Sequence, residues 1–217
     1  MLTFKAPAPD GRPLEVLCLG AHADDIEIGA GGTVLRILAD VPDARFHWVV
    51  FSASGARGEE ARTSAEAFLA GARNPRIVLK DFRDGFFPYV GYDVKEAFEA
   101  LATEVEPDIV LTHCRGDLHQ DHRLINELTW NTFRDHLILE YEIFKYDADL
   151  GQPNLFVYLD EATCQKKADL IWTHFASQRK KPWFTKENMY SLLRLRGVES
   201  RAPSGLAEAF HCRKVVL

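Results

Sequence analysis

The sequence has no uninterrupted apolar run approaching the roughly 20 residues that a bilayer-spanning helix needs. Its opening, MLTFKAPAPDGRP, lacks the basic-then-apolar pattern of a signal peptide. The cysteines, Cys18, Cys114, Cys164 and Cys212, stand far apart with no CxxC pair, which argues against a disulfide framework or a cysteine zinc site. Positive charge is also short: 26 Lys plus Arg against 32 Asp plus Glu leave a net −6, the wrong sign for nonspecific nucleic-acid binding. Internal repeats, low-complexity tracts and linkers are missing too. These absences predict a cytoplasmic protein without a membrane or nucleic-acid partner. What is present is ordinary for a globular domain: 217 residues, 47% hydrophobic and 27% charged.

Short apolar runs alternate with amphipathic stretches. Residues 14–19, 46–51, 77–79 and 109–112 read as buried strands, rich in branched and aromatic side chains. Between them lie helical patterns. One carries Val34, Leu35 and Leu38 after a loop over 21–32. A second begins at about residue 59 and places Ala61, Ala65, Phe68, Leu69 and Ala72 on one face. A third runs from Val94 to Val105 and stops before Pro107. A fourth lies near Leu124, Ile125 and Leu128. Strands are then expected over 137–146 and 155–158, helices around Cys164–Phe175 and 186–196, and a last strand over 212–216. The alternation implies an α/β fold, a three-layer sandwich with a mainly parallel, Rossmann-like sheet. A single domain is expected, its core over about 14–135 and further strands and helices over about 136–217.

In such sheets ligands bind at the carboxyl ends of the strands. Two loops there concentrate the reactive side chains. The first reads Ala21-His22-Ala23-Asp24-Asp25-Ile26-Glu27 and is followed by Gly29, Gly31 and Gly32; the second reads Gly116-Asp117-Leu118-His119-Gln120-Asp121-His122. A helix N-cap would use one acidic residue of the first loop, not His22 and two aspartates. A dinucleotide turn would need GxGxxG spacing close behind the strand and no carboxylates against the pyrophosphate, so it is set aside. A metal fits better. His22 and Asp25 lie three apart at a bend, and His119 and His122 bracket Asp121 on the second loop. Imidazole with carboxylate is a zinc-type set, and three protein ligands leave a position for water.

These residues also carry a family resemblance. AHADDxE with trailing glycines, together with HxDH, resembles the LmbE-like (PIG-L) zinc-dependent deacetylases, which act on N-acetylated amino sugars. Ala23 stands where that family usually has proline. The resemblance spans nearly the whole chain and extends to Arg57-Gly58-Glu59-Glu60, Pro153-Asn154, Ser177-Gln178 and Ala207-Glu208-Ala209-Phe210. It implies His22, Asp25 and His122 as ligands of Zn²⁺ or another divalent metal. It further implies Asp24 as general base and a protonated His119 as the group polarising the substrate carbonyl. Asp121 is expected to pair with His119 and keep it charged, with a helix-capping role as the alternative. Arg57 is a candidate contact to sugar hydroxyls or phosphate, against an exposed ion pair with Glu60. The implied partner is a small amino-sugar substrate of N-acetylglucosamine type, and relatives assemble as trimers or hexamers.

Residues 179–201 hold seven basic and two acidic side chains, a local +5 that suits a nucleotide-linked or otherwise anionic substrate, or only a solvated face. His47 lies in a strand, and His136, His174 and His211 lack acidic partners at ligand spacing; all four read as structural, and Cys114 has no base beside it. Two rival functions remain: a metal-dependent amidase or esterase on another conjugate, and a non-catalytic ligand-binding protein of the same fold.

Overall fold

The computed structural model describes residues 11–216. Strand and helix alternate as β1 (Glu15–His22), α1 (Asp25–Asp40), β2 (Arg45–Ser52), α2 (Gly55–Phe68), β3 (Arg76–Leu79), α3 (Gly91–Glu104), β4 (Ile109–His113), α4 (Gln120–Thr132) and β5 (Leu137–Tyr141). The chain continues through β6 (Leu155–Tyr158), α5 (Glu161–His174), α6 (Lys186–Ser200) and β7 (Ala207–His211). The strands form one sheet in the order β3-β2-β1-β4-β5-β7-β6. The first five pair in parallel; β7 runs antiparallel to both β5 and β6.

Side-chain alternation along β1 divides the core between two faces. Val16 and Cys18 pack with Trp48, Val50 and the apolar sides of α1, α2 and α5, whereas Leu17 and Leu19 pack with Val49, Phe51, α3 and α4. Burying a sheet on both faces is what makes its strands near-continuous apolar runs. Strand order reverses between β1 and β4, and the crevice at that switch point is where the two reactive loops meet. Among the described residues, no helix is long and apolar enough to cross a membrane.

Three expectations are corrected. The strand expected over 137–146 ends at Tyr141. The last strand is Ala207–His211, not 212–216, where Val215 and Val216 are exposed. Lying between β5 and β6, β7 is buried on both faces, yet it carries Glu208, a charge that disguises it as a loop. Lys167 Nζ lies 2.6 Å from Glu208 Oε1 and neutralises it. The stretch 21–32 is also helix from Asp25 onward. Its glycines allow close approach: a Cβ on Gly29 would sit 2.2 Å from the Tyr141 ring, and one on Gly32 would sit 2.4 Å from Leu159.

Candidate active site

His22 ends β1, and its backbone N–H donates to Asp25 Oδ2 at 2.7 Å, which fixes the bend into α1. His122 sits in the first turn of α4. The bend and that turn bring three ligand atoms together. His22 Nδ1 lies 3.1 Å from His122 Nε2 and 3.3 Å from Asp25 Oδ2, and the latter two atoms are 3.4 Å apart. Ligand bonds of about 2.0–2.1 Å in a tetrahedral zinc site put neighbouring donors about 3.3 Å apart. The triangle therefore has the dimensions of three corners of such a site.

The far nitrogens of both imidazoles are held by carboxylates. His122 Nδ1 is 2.8 Å from Asp117 Oδ2, and Asp117 in turn lies 3.1 Å from Lys145 Nζ. His22 Nε2 lies 3.1 Å from Asp84 Oδ1 and 3.2 Å from Asp121 Oδ2. A proton held on each far nitrogen leaves the inner nitrogens with lone pairs directed at one point, the usual second layer of a histidine metal site. Burial acts to raise the Asp25 carboxyl, yet the imidazoles of His122, His113 and His22 hold it well below the usual carboxylate range.

Asp24 is buried beside the triangle, and Arg57 Nη2 donates to its Oδ1 at 2.8 Å. Burial pushes the Asp24 carboxyl up, Arg57 opposes the rise, and Asp25 adds to it. Arg57 also reaches Glu60 Oε2 at 3.2 Å, and Glu60 accepts both the backbone N–H and the hydroxyl of Ser177. Arg57 thus lines the crevice while spending donors on Asp24 and Glu60. Its placement serves the neighbouring carboxylate as much as any ligand.

The expected pairing of Asp121 with His119 is not what the structure has. The Asp121 carboxylate accepts from the N–H groups of Gly85 and Phe87, at 2.6 and 3.1 Å, and contacts His22. His119 Nδ1 instead accepts the Asp121 N–H at 3.2 Å, so His119 is the residue that caps α4. Burial lowers the His119 pKa. A neutral ring with its hydrogen on Nε2 fits this geometry, rather than the protonated one expected.

Three site residues were missed in the sequence. His113, fully buried at the end of β4, stacks on the His122 ring at a centroid distance of 3.9 Å and places Nε2 3.2 Å from Asp25 Oδ2. Its position at a strand's carboxyl end beside the switch point was the available signal. Asp117 and Asp84 gave weaker ones, each being one acidic residue in a polar loop. The crevice above the site has a volume of about 390 Å³ and is lined by Ser52, Ser54, Arg57, Asp81, Arg83 and Asp84 besides His22. The basic run is not a single face on it: Lys186 pairs with Asp169, and Arg196 with Glu142 and Glu199.

The sequence profile described as PIG-L: GlcNAc-PI de-N-acetylase matches residues 17–133, more than half the chain and both reactive loops. A search of curated proteins finds no match. Among solved structures, N,N'-diacetylchitobiose deacetylase from Pyrococcus horikoshii is 19% identical with a TM-score of 0.67, the alignment covering 97% of this chain and 87% of that one. The 4-carboxy-2-hydroxymuconate hydratase GalB from Pseudomonas putida is 20% identical with a TM-score of 0.74, covering 94% and 98%. A conserved protein from Thermus thermophilus is 19% identical, also at 0.74, covering 94% and 96%. At these identities the likeness is one of fold. Because a deacetylase and a hydratase share that fold, chemistry has to be argued from the site.

Proposed function

This chain belongs to the PIG-L, or GlcNAc-PI de-N-acetylase, family, and from that premise we propose that it is a zinc-dependent hydrolase removing the acetyl group of an N-acetylglucosamine-type sugar. The observation carrying the proposal is the triangle of His22 Nδ1, Asp25 Oδ2 and His122 Nε2, with edges of 3.1–3.4 Å. Two imidazoles and a carboxylate fit zinc among divalent ions and leave a coordination position open. When bound, such an ion lowers the pKa of water and polarises a carbonyl.

The chain's own groups supply the rest. Asp24 accepts the proton of the attacking water, and Arg57 fixes the carboxylate that receives it. His119 donates from Nε2 to the acetamide oxygen as negative charge develops there. Water's oxygen bonds to the acetamide carbon and the C–N bond breaks. The proton returned from Asp24 leaves with the amine, so the products are acetate and the free amino sugar. Arg83 supports an anionic substituent on that sugar: it lines the crevice, lies 3.7 Å from the Phe86 ring centroid and has no carboxylate partner among the described residues. Assembly as a trimer or hexamer belongs to the same proposal. The exposed rings of Tyr89 and Tyr92 give it a surface.

The test is a panel of N-acetyl sugars, neutral and phosphorylated, with a simple ester and a non-sugar amide added, assayed for acetate and free amine. Asp24→Asn should retain metal and lose about 10²–10⁴-fold in turnover. His122→Ala should lose both. Arg83→Met should raise KM for the phosphorylated sugar alone. Full activity of Asp24→Asn would remove the assigned base. Turnover of only the ester or non-sugar amide would favour the broader amidase reading, and sugar binding without acetate release would make the protein a binder.

A further inference from the structure

We propose that a second divalent-cation site adjoins the first, built from His22, Asp84, His119 and Asp121, and that its occupation stops the reaction. The site adjoins the metal triangle described above and does not depend on the reaction proposed there, whereas its inhibitory effect does.

One donor atom from each of these four residues lies within 4.8 Å of the others. The arrangement turns on His22. While Nδ1 faces the triangle already described, Nε2 faces the opposite way, 3.1 Å from Asp84 Oδ1 and 3.2 Å from Asp121 Oδ2. A ring nitrogen carries at most one hydrogen, so Nε2 can satisfy one of these carboxylates and not both. Asp121 is already held from behind by the N–H groups of Gly85 and Phe87, which aim its Oδ2 at this point. Two carboxylates converging on one nitrogen leave negative charge that a single shared proton does not neutralise, and a dication would.

The two carboxylates stand from His22 Nε2 at the distances found in the first triangle, and two imidazoles with two carboxylates again form a zinc-type donor set. Asp84 is three-quarters exposed and, with His22, lines the crevice, so an ion can arrive from solvent. Binding there sends the Nε2 hydrogen of His22 into solvent and makes the ring a bridge. With bonds of about 2.0 Å on each side of the imidazole, the two ions would stand about 6 Å apart. The second ion takes His119 away from the carbonyl it would polarise and fills the mouth through which the acyl group enters.

Equilibrium dialysis of the full chain against zinc, read by elemental analysis, tests the site without reference to turnover. Wild type should take up two ions, the second at higher free zinc, and Asp84→Asn only one. The exposure of Asp84 makes that variant a safe one for folding. In parallel, the zinc concentration that halves acetate release should rise at least about tenfold in Asp84→Asn, the scale on which site carboxylates act on metal affinity. Saturation of wild type at one ion overturns the proposal, as does a second ion held equally well by Asp84→Asn. One ion with acetate release intact would remove the second site and leave the deacetylase. Two ions with no acetate released from any substrate would establish the site and remove the deacetylase.

Discussion

Glu27 shows how one side chain of the site region shapes the behaviour of the folded chain. It is fully buried, Ser64 Oγ donates to its Oε1 at 2.7 Å, and its Oε2 has no partner among the described residues. Burial pushes its carboxyl up to about 8, with the Ser64 bond opposing the rise. The unfolded chain ionises this group near its ordinary value of about 4.3. Between those values the folded protein holds a proton that the unfolded protein has released. The contribution of Glu27 to stability is therefore greatest at the acid end of this window and falls as pH rises toward 8, by about a few kcal/mol at its fullest. Glu27→Gln should flatten that slope in metal-free protein, read as urea-unfolding free energy at several pH values. An unchanged slope would mean that Glu27 is ionised in the fold. At this same scale His22, Asp24, Asp25, His119 and His122 stood out in the sequence, because histidines and aspartates gathered in two loops exceed what helix capping requires. Asp84 and Asp117 did not, since one acidic residue in a polar loop looks like any solvated one until a histidine is seen beside it.

Helix α1 is the element that joins the site to the sheet. Its first turn carries Asp25, and its second lies on β5 and β7 through glycines. The Lys167–Glu208 pair reaches into it: Lys167 Nζ donates to the Ile28 carbonyl at 2.7 Å, and Glu208 accepts the Gly32 and Thr33 N–H groups, both at 2.7 Å. Gly29→Ala would set a methyl 2.2 Å from the Tyr141 ring, which is itself fully buried. Overpacking of this kind costs about 1–3 kcal/mol. The expected outcome is a lower denaturation midpoint together with weaker metal retention, because shifting α1 moves Asp25. A midpoint within error of wild type would show that the ring yields freely. The helix was half legible. Its apolar face from Val34 onward announced it, but glycines within the first turns read as loop, because helix propensity counts against them while the packing that selects them lies far along the chain.

The whole molecule is a sheet whose switch point gathers two loops about 100 residues apart in sequence. Its proposed assembly is a property at this scale. Sedimentation velocity should give a mass three or six times 24.6 kDa, and Tyr89→Glu with Tyr92→Glu should reduce it; a monomer at all concentrations would refute it. The sequence by itself determined the alternating α/β architecture, the order of the first five strands along the chain and the two loops that hold the candidate ligands, because periodicity and residue chemistry are local. Only the tertiary structure decided that Asp117 and Asp121 each hold a different histidine, that His113 lies under the site, and that a strand bearing Glu208 is buried between two others. Those facts depend on which distant group satisfies a buried charge, and a one-dimensional pattern does not contain that distance.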